Sequence, residues 1–411
     1  MAYRGLIPGR HPVKEMKRSR VMEIAPDIWE IEGYLSTSFF FKPPSSNCFI
    51  LRDDDLVLLV DTGTYPFYRR AMLDILEKYR RDGARRLVLM LTQGHFDHIG
   101  NNDLVLEAGY DEVRFLLPEA EVSTFDVYHH WTGEYLELRD YYDPYRQLPL
   151  KFPTAIPHLV GRVSWDLAQK LIQQNIALLV KGMNTLGERA EILPMDSRVK
   201  KTFGEVEFQG WEVGRFFAVH DGTHSPGHLS FYDPEHKVFL TGDATLEINP
   251  AFLNSSLTTC IEMMEKFQRF AEQGFVETAT DAHRSTIWSR MLIDETGQAP
   301  LSELQTVDKI EGADQCAAYY SFFGDYYRAL KGEVLDALAR LKSATVPQLI
   351  EEFKGSRDPF CRFKTLLEFP RLPSRLDVMV ANVLREEQIP RRLEGNQIRF
   401  YAGPDRASPT K

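Results

Sequence analysis

The chain has 411 residues, more than one hydrophobic core usually serves, because single cores stop growing at roughly 250–300 residues. Hydrophobic residues make up 43% and charged residues 26%, a globular balance that argues against disorder except at the two ends. The formal net charge of −10 argues against nucleic acid as the partner.

The N-terminal segment is basic but has no continuous apolar stretch, so no signal peptide is expected. No apolar run reaches about 18 residues, so no membrane span is expected and the cytoplasm is the default compartment. Cys48, Cys260, Cys316 and Cys361 lie far apart without a C-x-x-C pair. That spacing argues against a disulfide framework and against a Cys-rich zinc module.

From Met22 to Asp61 the pattern predicts strands. Residues 27–32 alternate apolar and polar, the period of a half-buried strand. Leu56-Val57-Leu58-Leu59-Val60 is a continuous apolar run that ends in Asp61-Thr62-Gly63. A buried strand of this kind delivers a carboxylate from its C-terminal end. Tyr65 to Arg81 reads as a helix, with Met72, Ile75, Leu76 and Tyr79 on one face. Leu87 to Leu91 is a second short buried strand, and it stops at Thr92-Gln93-Gly94-His95-Phe96-Asp97-His98. Two strands with polar tips, separated by a helix, predict an α/β layout.

Residues 118–195 are rich in Tyr, Trp and Leu and include His129-His130-Trp131. They read as a helical insertion, either a lid and substrate wall or a structural cap and homodimer contact. Strands resume at Val199. Phe216 to His220 leads into Asp221-Gly222-Thr223-His224-Ser225-Pro226-Gly227-His228, and a hairpin then ends in Gly242-Asp243. His283 follows in Thr280-Asp281-Ala282-His283.

The tail predicts helices at Gly332–Leu341, Val346–Phe353 and Leu376–Glu386, then a hairpin between Ile389 and Tyr401 with a Gly395-Asn396 turn. Three helices and a hairpin form a winged-helix pattern. From Lys331 onward there are 15 Lys+Arg against 11 Asp+Glu, too small an excess to argue for DNA binding. The expected organisation is a main domain over 1–310, a winged-helix-like domain over 331–402 and a flexible tail over 403–411.

The chemistry concentrates at strand ends. His95, Asp97 and His98 offer imidazole nitrogens and a carboxylate, donors that suit zinc or iron. Gly94 and Gly100 are expected to let this loop curl. His224, Asp243 and His283 follow in later loops.

In this order the motifs resemble those of the metallo-β-lactamase superfamily. The resemblance rests on Asp61-Thr62-Gly63, Gln93-Gly94-His95-Phe96-Asp97-His98, His224 with Pro226-Gly227-His228, Gly242-Asp243, and His283. It covers roughly Met22 to Trp288 and departs from the family at Gln93, where the family has His. It implies an α/β fold, an αββα sandwich, with two divalent metal ions at the strand ends, zinc first and iron or manganese as alternatives. One ion would take Asp97, His98 and His283, the other Gln93, His95 and His224, with Asp243 shared. Gln93 would weaken the second of these, since an amide oxygen is a poorer donor to zinc than imidazole. His228 would not be a ligand, and Asp61 would steady a ligand imidazole. Asp97 and Asp243 would be the catalytic carboxylates, around a metal-activated hydroxide that attacks a carbonyl. The implied activity is hydrolysis of a small ester, thioester or lactone. The alternatives are a di-iron redox enzyme of oxygen or sulfur chemistry, a nuclease, or a metal-poor winged-helix regulator. A β-lactam substrate is not expected.

Overall fold

The computed structural model describes residues 20–33, 45–64, 66–126, 130, 141, 164, 167, 170, 171, 174, 186–246, 249–283, 309–353, 355, 356, 375–395 and 397–403. Most of the expected insertion, with His129, lies outside these residues, as do Cys361 and the tail after residue 403.

The first half of the chain builds one sheet. Its strands are β1 (Val21–Ala25), β2 (Ile28–Ile31), β3 (Cys48–Asp53), β4 (Leu56–Val60), β5 (Arg86–Met90), β6 (Glu112–Pro118) and β7 (Glu191–Leu193). They lie side by side in chain order. The first four pair antiparallel, and β4, β5, β6 and β7 run parallel. Helix α1 (Pro66–Arg81) makes the crossover from β4 to β5.

The apolar run of β4 is explained by its two faces. Leu56, Leu58 and Val60 point to the second sheet, while Val57 and Leu59 pack against Tyr68, Met72 and Leu76 of α1. A strand covered on both faces needs a hydrophobic residue at every position. In β2 the same double cover overrides the alternation. Glu30, read as outward-facing, is fully buried, and Trp29 donates its indole N–H to the Tyr79 hydroxyl at 2.8 Å.

The second half builds a matching sheet from β8 (Val199–Phe203), β9 (Val206–Val213), β10 (Phe216–His220), β11 (Leu229–Asp233), β12 (Val238–Leu240), β13 (Thr278–Thr280) and β14 (Ile310–Glu311). Its strands also lie in chain order, and all its pairs are antiparallel except β12 with β13. The two sheets meet through Leu58, Val60, Val88 and Met90 on one side and Ala218, Leu229, Phe231 and Leu240 on the other. Outside the second sheet lie α4 (Leu257–Glu272) and α5 (Ala313–Leu341), whose Phe267, Phe270, Tyr320 and Phe323 share a core with Phe208, Phe217 and Phe239. The layers are therefore helix, sheet, sheet, helix, the expected αββα sandwich.

The helix read as starting at Gly332 is the last third of α5, which starts at Ala313 and runs 29 residues. It continues into β15 (Ser343–Ala344), α6 (Val346–Phe353), α7 (Arg375–Glu386), β16 (Arg391–Glu394) and β17 (Gln397–Tyr401). β17 lies between β15 and β16 in a three-stranded sheet. Leu349, Phe353, Leu376, Met379 and Phe400 belong to the same hydrophobic cluster as α4 and α5. Among the described residues, no helix is long and apolar enough to cross a membrane.

Candidate metal centre

The site lies where both sheets end. Asp61 follows β4 with φ of 60°, inside the left-handed region, which its short polar side chain tolerates. It is fully buried, and its carboxylate accepts hydrogen bonds from the Thr92 N–H and the Thr92 hydroxyl, both at 2.8 Å. Asp61 Oδ2 also lies 2.8 Å from Nδ1 of His98. That contact leaves Nε2 of His98 facing the site.

The loop after β5 carries Gln93 and His95 and turns into α2 (Phe96–Ile99), which holds Asp97 and His98. Gly94 and Gly100 are required for closeness rather than for curl. A Cβ on Gly94 would stand 2.6 Å from the backbone nitrogen of Phe125, and one on Gly100 would stand 2.6 Å from the Gly63 carbonyl oxygen.

The second sheet supplies the rest. His224 lies in the loop between β10 and β11, Asp243 just after β12, and His283 just after β13. Two groups result, His95 with His224 and Asp243, and Asp97 with His98 and His283; within each, the donor atoms all lie within 4.8 Å of one another. Asp243 stands between the groups. Its Oδ2 is 3.5 Å from His224 Nε2 and 3.3 Å from His98 Nε2, while its Oδ1 is 3.3 Å from His283 Nε2. His95 Nδ1 faces His224 Nε2 at 3.2 Å, and Asp97 Oδ2 faces His283 Nε2 at 3.4 Å.

Gln93 borders both groups. Its amide nitrogen is 2.7 Å from His98 Nε2 and donates to Asp243 Oδ2, while its Oε1 is buried without a hydrogen-bond partner. The Oδ1 atom of Asp243 has the His283 imidazole beside it at 3.3 Å. Rotation of the amide exchanges its oxygen and nitrogen. All seven residues singled out in the sequence therefore converge. Buried imidazoles and carboxylates beside the unsatisfied Gln93 oxygen fit divalent cations, since such an acceptor is costly when nothing satisfies it.

Electrostatics separates the two groups. Burial pushes His224 down to about 4 against the pull of Asp243, and burial with the neighbouring His224 pushes His95 well below its usual range. His283 moves the other way. Burial lowers it, but Asp243 and Asp97 outweigh that and carry it up to about 10. His228 makes no approach of this kind. Its Nδ1 pairs with Asp221 at 2.7 Å and its Nε2 accepts the Asp243 backbone N–H at 3.1 Å.

Two residues that contact the site are absent from the sequence reading. Asn249 is fully buried; its Oδ1 accepts from His224 Nδ1 at 2.5 Å, and its amide donates to the Asp243 carbonyl at 2.7 Å. Nothing in the sequence around it marks this role. Glu121, just past β6, accepts from the Gly94 N–H at 2.7 Å, the Ser225 hydroxyl at 2.7 Å and the Gly227 N–H at 3.1 Å. Burial raises its carboxyl to about 7, against the opposing pull of the Gly94 N–H and the Ser225 hydroxyl.

Aromatic rings line the His95 side. Phe252 lies 4.3 Å from His95 between ring centroids, and His130, from the inserted segment, stacks on His95 at 5.4 Å.

The chain is a four-layer αββα sandwich with two adjoining His/Asp groups at its strand ends that could hold metal ions. The sequence matches the model of the Metallo-beta-lactamase superfamily over residues 42–342, and the chain belongs to that superfamily. Among solved structures it is similar to a beta-lactamase domain protein from Burkholderia ambifaria, with a TM-score of 0.51 and 16% identity over 93% of this chain and 95% of that one. It is also similar to the stereoselective inverting sec-alkylsulfatase Pisa1 from Pseudomonas sp., with a TM-score of 0.50 and 14% identity over 89% of this chain. The chain spans 50% of the sulfatase's length. At these identities the likeness is one of fold. No curated protein matches the sequence significantly.

Proposed function

We propose that the chain is a metal-dependent hydrolase that holds two divalent ions, zinc first, and acts on a small ester, thioester or lactone. The observation that carries this reading is Asp243, whose Oδ2 faces both His224 and His98 and whose Oδ1 faces His283. Asp97, His98 and His283 would hold one ion; His95 and His224, with Gln93 beside them, would hold the other. When bound, such ions polarise a substrate oxygen and make a water nucleophilic at neutral pH. Asp97, about one-tenth exposed where its neighbours are closed, is the carboxylate placed to orient a nucleophile and pass on a proton. Phe252 and His130 supply an apolar and aromatic flank for an acyl or ring-bearing group.

The tail reads as a winged-helix-like module that serves the site rather than nucleic acid. The order β15, α6, α7, β16, β17, with β17 central, supports that description. In such modules a helix of the trihelical part enters the groove of DNA. Here Leu376 to Leu384 of α7 are buried, and Asn382 donates to the carbonyls of Phe252 at 3.1 Å and Ser255 at 2.9 Å. Glu386 caps the start of α4, accepting from the N–H groups of Leu257 and Thr258 at 2.9 and 3.1 Å.

The test is metal content per chain by elemental analysis, followed by turnover of ester, thioester, lactone and alkyl sulfate panels. Near two zinc per chain with acyl hydrolysis supports the proposal. Two irons with oxygen uptake would replace it with a redox activity, and turnover of alkyl sulfates alone would move the substrate class. A chain that holds no metal after reconstitution would end the hydrolase reading.

A further inference from the structure

Residues 119–125 form a strap between the two loops that carry His95 and His224. The strap comprises a 3-10 turn, Glu119–Glu121, and α3 (Val122–Phe125). Both loops touch it through a glycine. A Cβ on Gly94 would meet the Phe125 nitrogen at 2.6 Å, and one on Gly227 would meet the Glu121 nitrogen at 2.6 Å. At the centre of the strap, Glu121 is 1% exposed. One of its oxygens takes the N–H of Gly94, the residue before His95. The other takes the hydroxyl of Ser225, the residue after His224, and the N–H of Gly227. One buried carboxylate thus joins two loops that come from different sheets and are separated by more than a hundred residues, and it does so one residue away from each imidazole.

We propose that Glu121 is a positioning residue that sets the spacing between His95 and His224 and thereby the affinity of that one donor group for its metal. The proposal rests on the reading of this cluster as a metal centre. The other group has its own anchor. His98 is held by Asp61, whose contacts are with Thr92 and His98 and not with the strap. Loss of Glu121 therefore acts on one group of the pair. Three donors aimed at one carboxylate also favour the ionised form, and burial opposes it; the group is retained at a cost that an apolar residue would avoid.

The experiment is cobalt(II) titration of the full-length apoprotein, followed by the visible absorption of the bound ion, for wild type, Glu121→Gln and Glu121→Ala. Outer-shell partners of metal ligands typically change affinity by about 10- to 100-fold when removed. The expected result is two equivalents bound by wild type and a weakening of about that size in one equivalent only for Glu121→Ala, with an altered spectrum for that ion and an unchanged one for the other. Glu121→Gln keeps the shape and one acceptor oxygen, so it falls between them and partly restores the wild-type spectrum. If Glu121→Ala fails to fold, Glu121→Gln and Ser225→Ala carry the same comparison. Two unchanged equivalents in the folded variants would overturn the role of Glu121 and leave the metal centre standing. Equal weakening of both equivalents would overturn it as well, since that is the mark of a general loss of structure. A wild type that takes up no cobalt would overturn the centre and the proposal together.

Discussion

Asn249 holds His224 in a fixed orientation, its Oδ1 taking the imidazole Nδ1 proton at 2.5 Å while its amide grips the carbonyls of Asp243 and Ala244 at 2.7 and 3.1 Å. One neutral side chain thus ties a ligand-type imidazole to the backbone that carries the shared carboxylate. Asn249→Ala takes the partner from one buried imidazole N–H and from the Asp243 carbonyl, while the Ala244 carbonyl keeps the Tyr327 hydroxyl at 3.2 Å. The expected loss is about 1–3 kcal/mol of stability, with metal affinity at the His95–His224 group reduced by roughly 10- to 100-fold. Thermal unfolding and metal titration measure the two effects. Asn249→Asp should recover the contact to His224 but not those to the carbonyls, and a variant with wild-type affinity and stability would remove Asn249 from this role.

The opposite shifts of His283 and His224 predict that the two groups load metal with different proton traffic. At pH 7 the apoprotein carries a proton on His283, raised to about 10, and none on His224, lowered to about 4. Zinc must displace the first and need not displace the second. Calorimetric titration in buffers of different ionisation enthalpy should show extra proton release for the Asp97–His98–His283 equivalent. Its affinity should rise with pH up to about 10, while that of the His95–His224 equivalent should stay flatter. Identical proton release for both equivalents would contradict the assignment. The same shift bears on apoprotein stability. Because the folded value of His283 lies above its ordinary 6.5, its contribution is complete below pH 6.5 and is lost as the pH rises through about 10.

Gln93 stands where an imidazole would complete the His95–His224 group, with its buried Oε1 unpaired. Gln93→His should tighten that equivalent by about tenfold or more, a gain of at least roughly 1.4 kcal/mol. Metal stoichiometry and affinity that do not respond would show that position 93 is not in the coordination sphere. Asp243→Ala should release metal from both groups and abolish turnover, because its carboxylate faces His224 of one group and His98 and His283 of the other.

The tail gives a separate prediction. Asn382 and Arg385 both donate to the Ser255 carbonyl, at 2.9 and 2.7 Å, and the Ser255 hydroxyl in turn donates to the His224 carbonyl. Asn382→Ala with Arg385→Ala should lower thermal stability and loosen the His224 loop, seen as weaker metal binding, each contact being worth about 0.5–1.5 kcal/mol. Fluorescence anisotropy with duplex DNA should show no binding by wild type. Tight, salt-resistant DNA binding that the double variant abolishes would reverse the reading of this module.

Much of the centre was legible because its chemistry sits at the ends of strands covered on both faces. Leu56–Val60 and Leu87–Leu91 are continuous apolar runs for that reason, and the polar residue that ends each run must point at something. Asp61, His95, Asp97 and His98 announce themselves in this way. Glu121 and Asn249 do not, since each is an ordinary polar residue until a segment from elsewhere arrives; Glu121 meets Ser225 across 104 positions of sequence. The first two-thirds of α5 were hidden for a different reason. Tyr319, Tyr320, Phe322, Phe323, Tyr326 and Tyr327 are all buried, so the helix is apolar on several sides and presents no single stripe to read. The alternation of β2 misled in the same spirit, because Glu30 follows the period of an exposed residue yet lies under cover.

The two sheets are consecutive in the chain, one complete by Leu193 and the other starting at Val199. Within each, every strand lies beside its neighbours in sequence, so each half can pair its strands without waiting for the other. The donor residues are divided along the same line, with Gln93 to His98 in the first half and His224 to His283 in the second. An ion held between them would therefore clasp two halves whose strands pair separately. Chelation should loosen the seam between the sheets before it melts either one, and an ion present at 100 times its dissociation constant would fasten that seam by about 2.7 kcal/mol.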